Sequence, residues 1–406
     1  MRKINMGKNR KLMAGLMAAA MIASLTACAP APAESTAAQQ TTAAGQTADS
    51  QGAAAGQTAA SQGAADAQNP AGVESYDAEL AGLEANRGEG RTIGVVAFFQ
   101  ANDWNQNALR AIKENLEAYK YTVNIIDGNG DAAAMNAAID THIASKVDGI
   151  IVAGGDGTAL KTGCAKIVES GIPYAVIDMF QEGAVINVMA DNWGGGAQLG
   201  LYVANEIGGK GKVLILDTPS WVTLKARADS ADVVFNPFRG TDPKTSIVTE
   251  RFDIDANNAV TDAQTKVAAA LAADTGKDIK AIVTSWNLPA VGAYAALKEA
   301  GRTQDIVIAS GDTGKDVLQA MREEEAGKWV FMGQNSYVLG TRAAKGLDLA
   351  LNGKADAVPF AQFGPTYFVS NRGGATDPVT DGSEILLQSP EQHWKTVFGT
   401  EFGSVK

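Results

Sequence analysis

From residue 91 onward, short apolar runs alternate with stretches that repeat apolar residues at helical spacing. The first unit shows the pattern: an apolar run from Ile93 to Phe99, a polar turn, and a stretch with Leu109, Ile112 and Leu116 on one helical face. Strands that alternate with helices form parallel sheets with helices on both faces. The pattern therefore predicts an α/β fold of the doubly wound type.

The alternation occurs as two series, one before and one after Asp191. Two series in one chain predict two doubly wound parallel-sheet lobes, and the loops that follow their strands should line a cleft between them. The predicted strands are Ile93–Ala97, Val123–Ile126, Gly149–Ala153, Ala175–Asp178, Val213–Leu216, Ile247–Phe252, Ile282–Ser285, Ile306–Ser310 and Val330–Met332. The predicted helices after the first unit are Ala132–Ser145, Ala159–Ser170, Val222–Phe235, Ala259–Ala273, Pro289–Ala300, Asp316–Ala326 and Tyr337–Leu351.

The N-terminal part of the chain has the composition of an export signal followed by a tether. Residues 1–11 carry five positive charges, and residues 12–25 form an apolar run that is short for a membrane span. This pattern predicts a signal peptide over residues 1–27. Residues 28–75 are rich in Ala, Gln, Thr and Gly and contain few large apolar residues, so we expect a disordered tether there.

The four residues that end at Cys28, LTAC, resemble the bacterial lipobox. The resemblance implies that Cys28 is lipidated and that the protein is a lipoprotein outside the cytoplasm, anchored to the bacterial membrane at the cell surface or in the periplasm. An ordinary signal peptide with an incidental cysteine is the alternative.

Charge and composition exclude several classes of function. The net charge is −11, and without the first eleven residues it is −11 − 5 = −16, which argues against binding to nucleic acid. The chain has two cysteines and two histidines with no metal-ligand spacing, and neither histidine follows a predicted strand of the cleft. We therefore expect no metal site, no cofactor, no catalytic residues and no enzyme activity.

An ordered set of motifs from residue 91 to about residue 370 resembles the periplasmic sugar-binding proteins of ABC transporters, and among them the ribose-binding type with the type I fold. The motifs are Thr92–Val96 with Asn102–Trp104, Ile172–Asp178, Ala190–Asn192 with Gly194 and Gly195, Lys225–Arg227, Thr284–Asn287 with Ala293, Ser310–Asp312 and Gly333–Asn335.

This resemblance implies two lobes joined by a hinge, with three crossings near Asp191, Gln334 and residues 364–367. It places residues 76–190 and 335–364 in the first lobe and residues 191–334 and 365–406 in the second. It also implies a monomer that captures a sugar or a sugar-like ligand and delivers it to an ABC transporter permease. A sugar sensor that docks on a signalling receptor is an alternative that the sequence does not separate from it.

The resemblance also implies a set of ligand-binding residues. Aromatic rings cover the apolar face of a sugar, while carboxylate, guanidinium and amide groups bind its hydroxyls. The charged candidates are Asp178, Arg227 and Asp312; the neutral ones are Asn102, Asn105, Asn287 and Gln334; the rings are Phe98, Trp104, Phe252 and Trp286, with Trp221 as a further candidate. Other roles stay open: Trp104 and Trp286 as core residues, Asp178 and Asp312 as helix caps, and Arg227 as a solvated helix residue.

Two departures from the family pattern and one other motif affect the interpretation. Met179 stands where the family usually has arginine, and Gly154 stands where it often has asparagine. Both changes make the pocket more apolar and leave room for a larger or less oxygenated ligand than ribose. Residues 154–158, GGDGT, also resemble the signature of NAD kinases and diacylglycerol kinases, so a nucleotide-using enzyme with Asp156 at its centre is a second hypothesis.

Overall fold

The computed structural model describes residues 76–312, 314–371 and 386–404, and the predicted signal peptide, the tether and Cys28 lie outside these residues. The strands are β1 Thr92–Ala97, β2 Thr122–Asp127, β3 Gly149–Ala153, β4 Tyr174–Ile177, β5 Ile186–Ala190, β6 Gly211–Asp217, β7 Ile247–Asp253, β8 Ile279–Thr284, β9 Val307–Gly311, β10 Trp329–Gln334, β11 Ala361–Gly364, β12 Thr366–Ser370 and β13 Leu386–Gln388.

The helices are α1 Asp77–Leu80, α2 Asp103–Glu117, α3 Ala132–Ala144, α4 Lys161–Ser170, α5 Asn192–Glu206, α6 Val222–Val234, α7 Ala259–Ala273, α8 Asn287–Glu299, α9 Lys315–Ala320, α10 Ser336–Leu351 and α11 Pro390–Phe398. Within the described ranges, no helix combines the length and the apolar character that crossing a bilayer requires.

The strands form two sheets, which confirms the predicted fold class. Lobe 1 contains a six-stranded parallel sheet in the order β11-β5-β4-β3-β1-β2, and lobe 2 a seven-stranded sheet in the order β13-β12-β10-β9-β8-β6-β7. Only the pairing of β10 with β12 is antiparallel among the described strands. Along β1, Val95 belongs to the apolar cluster on one face and Val96 to the cluster on the other. Such two-sided burial explains the continuous apolar runs of the sequence.

The two sheets share one strand order, so their strands correspond in pairs: β1 with β6, β3 with β8, and β4 with β9. The chain passes from lobe 1 to lobe 2 after β5, returns after β10, and passes to lobe 2 again between β11 and β12. Helix α5 packs on α6 in lobe 2, and α10 packs on α2 in lobe 1.

Several elements differ from the sequence prediction. Strands β5, β11, β12 and β13 and helices α1, α5 and α11 were not predicted. Helix α9 ends at Ala320, whereas the prediction extended it to Ala326. Residues 323–325 are three consecutive glutamates, and the negative end of the helix dipole disfavours acids in a last turn.

The C-terminal part, residues 386–404, is an integral element of lobe 2. Strand β13 pairs with β12, and α11 begins with a capping box formed by Ser389 and Gln392. Trp394 is fully buried in the lobe 2 core. The segment also contacts lobe 1, because the Asn107 amide donates a buried hydrogen bond of 2.8 Å to the Val397 carbonyl.

Candidate ligand-binding site

A cavity lies between the lobes at the carboxyl ends of the three pairs of matching strands. The space it encloses is about 540 Å³ including its opening to solvent. The residues that line it are Phe98, Phe99, Asn102, Asp103, Trp104, Asn105, Gly154, Gly155, Asp178, Trp221, Leu224, Trp286, Asn287, Leu288 and Asp312. Eight of the eleven residues predicted to bind ligand are in this set.

The segment after β1 forms one wall, and it is more helical than predicted. Asn102 is the N-cap of α2, and its side-chain oxygen accepts hydrogen bonds from the backbone N–H and the side-chain amide of Asn105 at 2.8 and 2.9 Å. Trp104 lies in the first turn of α2 rather than in a loop. It is 9% exposed, lines the cavity and also packs in the lobe 1 core. Trp104 is therefore a core residue that also faces the cavity.

Lobe 2 supplies an aromatic wall opposite the segment that follows β1. Trp221 precedes α6 and Trp286 precedes α8, and their rings stack with centroids 6.1 Å apart. The Trp286 indole N–H donates to the Thr218 hydroxyl at 3.2 Å. Trp221 also meets Phe98 of lobe 1, with ring centroids 4.6 Å apart and planes at 87°. The lobes are thus closed on each other across the cleft, and aromatic rings form the contact.

Asp312, at the end of β9, belongs to a buried polar network inside lobe 2. The Arg227 guanidinium is 1% exposed and donates to the Asp312 carboxylate at 3.2 Å, to the Ser285 carbonyl at 3.0 Å and to the Asn192 side-chain oxygen at 2.7 Å. The Gln334 amide donates to the other Asp312 oxygen at 2.5 Å. Arg227 and Gln334 do not line the cavity themselves, and they position Asp312 at its wall.

Asp178 occupies the corresponding position in lobe 1, directly after β4. Its backbone is left-handed, with φ of 59°, and Asp312 shares this conformation with φ of 75°. The pKa of Asp178 is raised to about 7, chiefly by burial; the Asp312 carboxylate acts in the same direction, while Arg227, Thr223 and Asn192 oppose the shift. The Asp178 Oδ1 atom has no hydrogen-bond partner among the described residues.

Other buried polar atoms around the cavity lack partners as well. Within the described part of the chain, the Trp104 indole N–H, the Asn105 Oδ1 atom and the Arg227 Nη2 group form no hydrogen bond. On the described residues that line the cavity, the atoms without partners are one donor, the Trp104 N–H, and two acceptors, Asn105 Oδ1 and Asp178 Oδ1; Arg227 does not line the cavity. A buried polar group without a partner costs about 1–3 kcal/mol, so a ligand that supplies both donors and acceptors is favoured here.

Asn287 and Phe252 were both predicted to bind ligand, and only Asn287 lines the cavity. Asn287 is the first residue of α8 and lines the cavity. Phe252 does not line it, which departs from its predicted role as a wall. Strand β7 is the edge strand of the lobe 2 sheet, and the Phe252 ring packs partly buried on the lobe 2 core. Sequence reasoning missed Phe99, Leu224 and Leu288, whose apolar character gave no signal that distinguishes them from core residues.

The GGDGT segment follows β3 and forms a tight turn at the edge of the cavity. Gly154 and Gly155 have φ of 77° and 109°, a conformation that favours glycine. The Asp156 carboxylate accepts hydrogen bonds from the backbone N–H groups of Thr158 and Ala159. Asp156 therefore stabilises the turn, and the two glycines bring the backbone close to the rings of the cavity.

Known proteins resemble this chain over the region that contains the site. The ribose import binding protein RbsB of Bacillus subtilis (strain 168) is 23% identical over 267 residues, which cover 65% of this chain and 82% of that protein. The xylitol-binding protein of Mycolicibacterium smegmatis is 26% identical over 249 residues, covering 60% of this chain and 67% of that protein.

Two solved structures also resemble it. An ABC sugar transporter subunit from Rhodobacter sphaeroides 2.4.1 has a TM-score of 0.64 at 27% identity and covers 70% of this chain and 99% of its own. An ABC transporter solute binding protein from Agrobacterium vitis with bound allitol has a TM-score of 0.64 at 26% identity, covering 70% and 96%. A family model described as periplasmic binding protein domain matches residues 93–355, more than half of the chain. The resemblance noted in the sequence is confirmed, and the chain belongs to the periplasmic binding protein domain family.

Proposed function

We propose that this protein captures a sugar or a polyol in the interlobe cavity outside the cytoplasm and delivers it to the permease of an ABC transporter. The observation that carries the proposal is a set of one donor and two acceptors on residues of an aromatic-lined cavity, all three buried and without partners in the described structure. The named relatives bind ribose and xylitol, and one similar structure holds allitol, which supports a polyhydroxylated ligand.

The chemistry of the cavity suits such a ligand. Each hydroxyl of a sugar both donates and accepts, so it can satisfy Asp178 Oδ1 and Asn105 Oδ1 as a donor and the Trp104 N–H as an acceptor. The rings of Trp221, Trp286 and Phe98 offer surface for the C–H groups of the same molecule. A ligand without hydroxyls leaves the polar atoms unsatisfied.

Ligand-dependent stability tests this function. The protein is unfolded and refolded to remove any ligand that copurified, and its unfolding free energy is measured with and without D-ribose, xylitol, allitol, apiose and other monosaccharides. A ligand at a hundredfold its dissociation constant adds about 2.7 kcal/mol. Asp140→Asn, on the surface of α3, is the control variant and should respond like the wild type. If no sugar or polyol stabilises the wild type, the proposal is wrong.

The lipid anchor at Cys28 is part of the same proposal, and the LTAC motif supports it. In cells, the wild type should carry a lipid label and sediment with membranes, whereas Cys28→Ala should be exported without label. A Cys28→Ala protein that keeps the label contradicts the anchor. Deletion of the protein should abolish uptake of the labelled ligand; loss of a transcriptional response with normal uptake would favour the sensor instead.

A further inference from the structure

A second, more open cavity lies directly beside the ligand cavity. It has a volume of about 860 Å³ including its opening, and its walls come from the segments after β3 and β4 in lobe 1 and from the start of α6 in lobe 2. Gly155 and Asp178 line both cavities. The two spaces therefore adjoin at these two residues, and we call them the inner and the outer compartment of the cleft.

Gln181, one of the buried polar residues that line the outer compartment, is already satisfied, in contrast to Asp178 Oδ1, which lies at the boundary of the two compartments. Gln181 is 5% exposed; its side-chain amide donates to the Gly157 carbonyl at 2.5 Å, and its backbone N–H donates to the Asn187 side-chain oxygen at 2.8 Å. Binding in the outer compartment therefore does not depend on new hydrogen bonds to this residue. Most of the surface that lines the outer compartment is apolar, so apolar contact is the main interaction that this compartment offers.

Exposed apolar side chains from both lobes supply that contact. Phe180 of lobe 1 is 54% exposed and Val222 of lobe 2 is 62% exposed, and both line the outer compartment. The Phe180 ring forms a T-shaped pair with Phe360, with centroids 5.2 Å apart, which restricts its position. An exposed ring that is held in place beside a ligand cavity is a platform for another ring.

The charges around the outer compartment favour a neutral occupant. Lys161 and Glu182 are its exposed charged residues, one of each sign. Asp178 is the third ionisable group and belongs equally to the inner compartment. No excess of positive charge is present to select a phosphate or a carboxylate.

We propose that the outer compartment binds a second ring of the ligand, so that the substrate is a glycoside or a disaccharide rather than a free monosaccharide. The inference rests on the proposed function, because the inner compartment must hold the first ring. A second sugar and an aromatic aglycone share the feature that matters, a ring with an apolar face joined to the first ring. Val222 and Phe180 approach this ring from opposite lobes.

Calorimetric titration of matched ligand pairs tests the proposal. Each monosaccharide that stabilises the wild type is compared with its α- and β-linked p-nitrophenyl glycosides and with disaccharides that carry it. The wild type should bind at least one two-ring ligand more tightly than the parent sugar. Phe180→Ala should lower the affinity for that ligand by about threefold to tenfold and change the affinity for the parent sugar less than twofold. Val222→Thr should act in the same direction with a smaller effect.

Phe363→Ala is the matched control, because Phe363 is 59% exposed in lobe 1 and lines neither compartment. A gain in affinity over the parent sugar that is confined to the nitrophenyl glycosides identifies an aromatic aglycone as the second ring. A gain in affinity with disaccharides identifies a second sugar. If a monosaccharide binds but none of its two-ring derivatives binds more tightly, the second-ring proposal is wrong and the sugar-binding function stands. If no ligand of either kind binds, both proposals fail.

Discussion

Asp178 and Asp312 occupy the same place in the two lobes, yet their surroundings differ. Each follows the strand at the matching sheet position and has a left-handed backbone. Arg227 and Gln334 hold the Asp312 carboxylate within lobe 2, whereas Asp178 Oδ1 has no partner among the residues that the structure describes. Lobe 2 thus carries a preorganised acceptor, whereas under the proposed function the ligand completes the hydrogen bonds of the acceptor in lobe 1.

The largest effect is expected from removing the cation of the lobe 2 network. Arg227→Met leaves the buried Asp312 without its ion pair and also removes donors to Ser285 and Asn192. The free energy of unfolding should fall by about 3–5 kcal/mol, measured by urea denaturation. The matched control is Lys225→Met on the same helix, whose exposed pair with Asp229 should contribute less than about 1 kcal/mol. Equal effects of the two variants would contradict the assigned role of Arg227.

The second prediction compares the two aspartates directly. Asparagine tolerates the left-handed backbone, so Asp312→Asn and Asp178→Asn remove the charge, and one acceptor oxygen, without straining the backbone. Asp312→Asn should reduce the unfolding free energy by about 1.5–3 kcal/mol, because its hydrogen bonds with charged partners weaken. Asp178→Asn should leave the stability of the empty protein unchanged or raise it, since it removes a buried charge that faces Asp312. If both variants destabilise equally, the comparison between the lobes is wrong.

The third prediction concerns pH. The pKa of Asp178 is raised to about 7 by burial and by Asp312, with Arg227 opposing. A folded-state pKa above the unfolded value means that the native state binds more protons between pH 4 and 7, so stability falls as the pH rises through this window. The unfolding free energy of the wild type should therefore fall relative to that of Asp178→Asn from pH 4 to pH 7. Above pH 7 the offset between the two proteins should be constant. A difference that does not vary with pH would contradict this assignment.

The smallest effect is expected at the contact between Asn107 and Val397, which joins the lobes outside the cavity. Asp178 faces Arg227 and Asp312 only while the lobes are closed, and the Asn107 amide bond to the Val397 carbonyl helps to hold them so. Asn107→Ala should weaken ligand binding by about twofold to tenfold, which corresponds to one hydrogen bond of 0.5–1.5 kcal/mol. Calorimetric titration with the ligand found for the wild type measures this change.

Asn115→Ala is the matched control for Asn107→Ala. Asn115 lies on the same helix and donates to Ala111 and Thr341, both in lobe 1. Its loss should affect the stability of lobe 1 without changing ligand affinity. Similar losses of affinity in both variants would show that the Asn107 contact is not specific to closure.

The sequence predicted the strand-end positions well because parallel strands leave a clear signal. Asp178 and Asp312 follow buried runs, and their placement at one edge of each sheet depends only on strand direction. Strand β5 escaped prediction because Asn187 interrupts its short apolar run. The structure buries Asn187, whose side chain accepts from the Gln181 N–H and donates to the Phe360 carbonyl. Tertiary contacts of this kind cannot be predicted from the local pattern of apolar and polar residues.

The order of strands within a sheet explains the remaining errors. Phe252 ends a strand, as the other predicted wall residues do, but β7 is an edge strand away from the cavity. Trp221 received less weight than Trp104, although it forms the aromatic contact between the lobes. Its importance depends on how the two lobes meet. Sequence periodicity describes the helices and strands of each lobe and contains no information on how the two lobes pack against each other.

The C-terminal helix has a consequence for how such a protein can change its affinity over evolution. Helix α11 folds as part of lobe 2, and its Val397 carbonyl reaches across to lobe 1. The free energy of this bond therefore enters the equilibrium between open and closed lobes, and the apparent affinity scales with the closed fraction. Substitutions in the last helix can thus retune ligand retention while every residue that recognises the ligand stays unchanged.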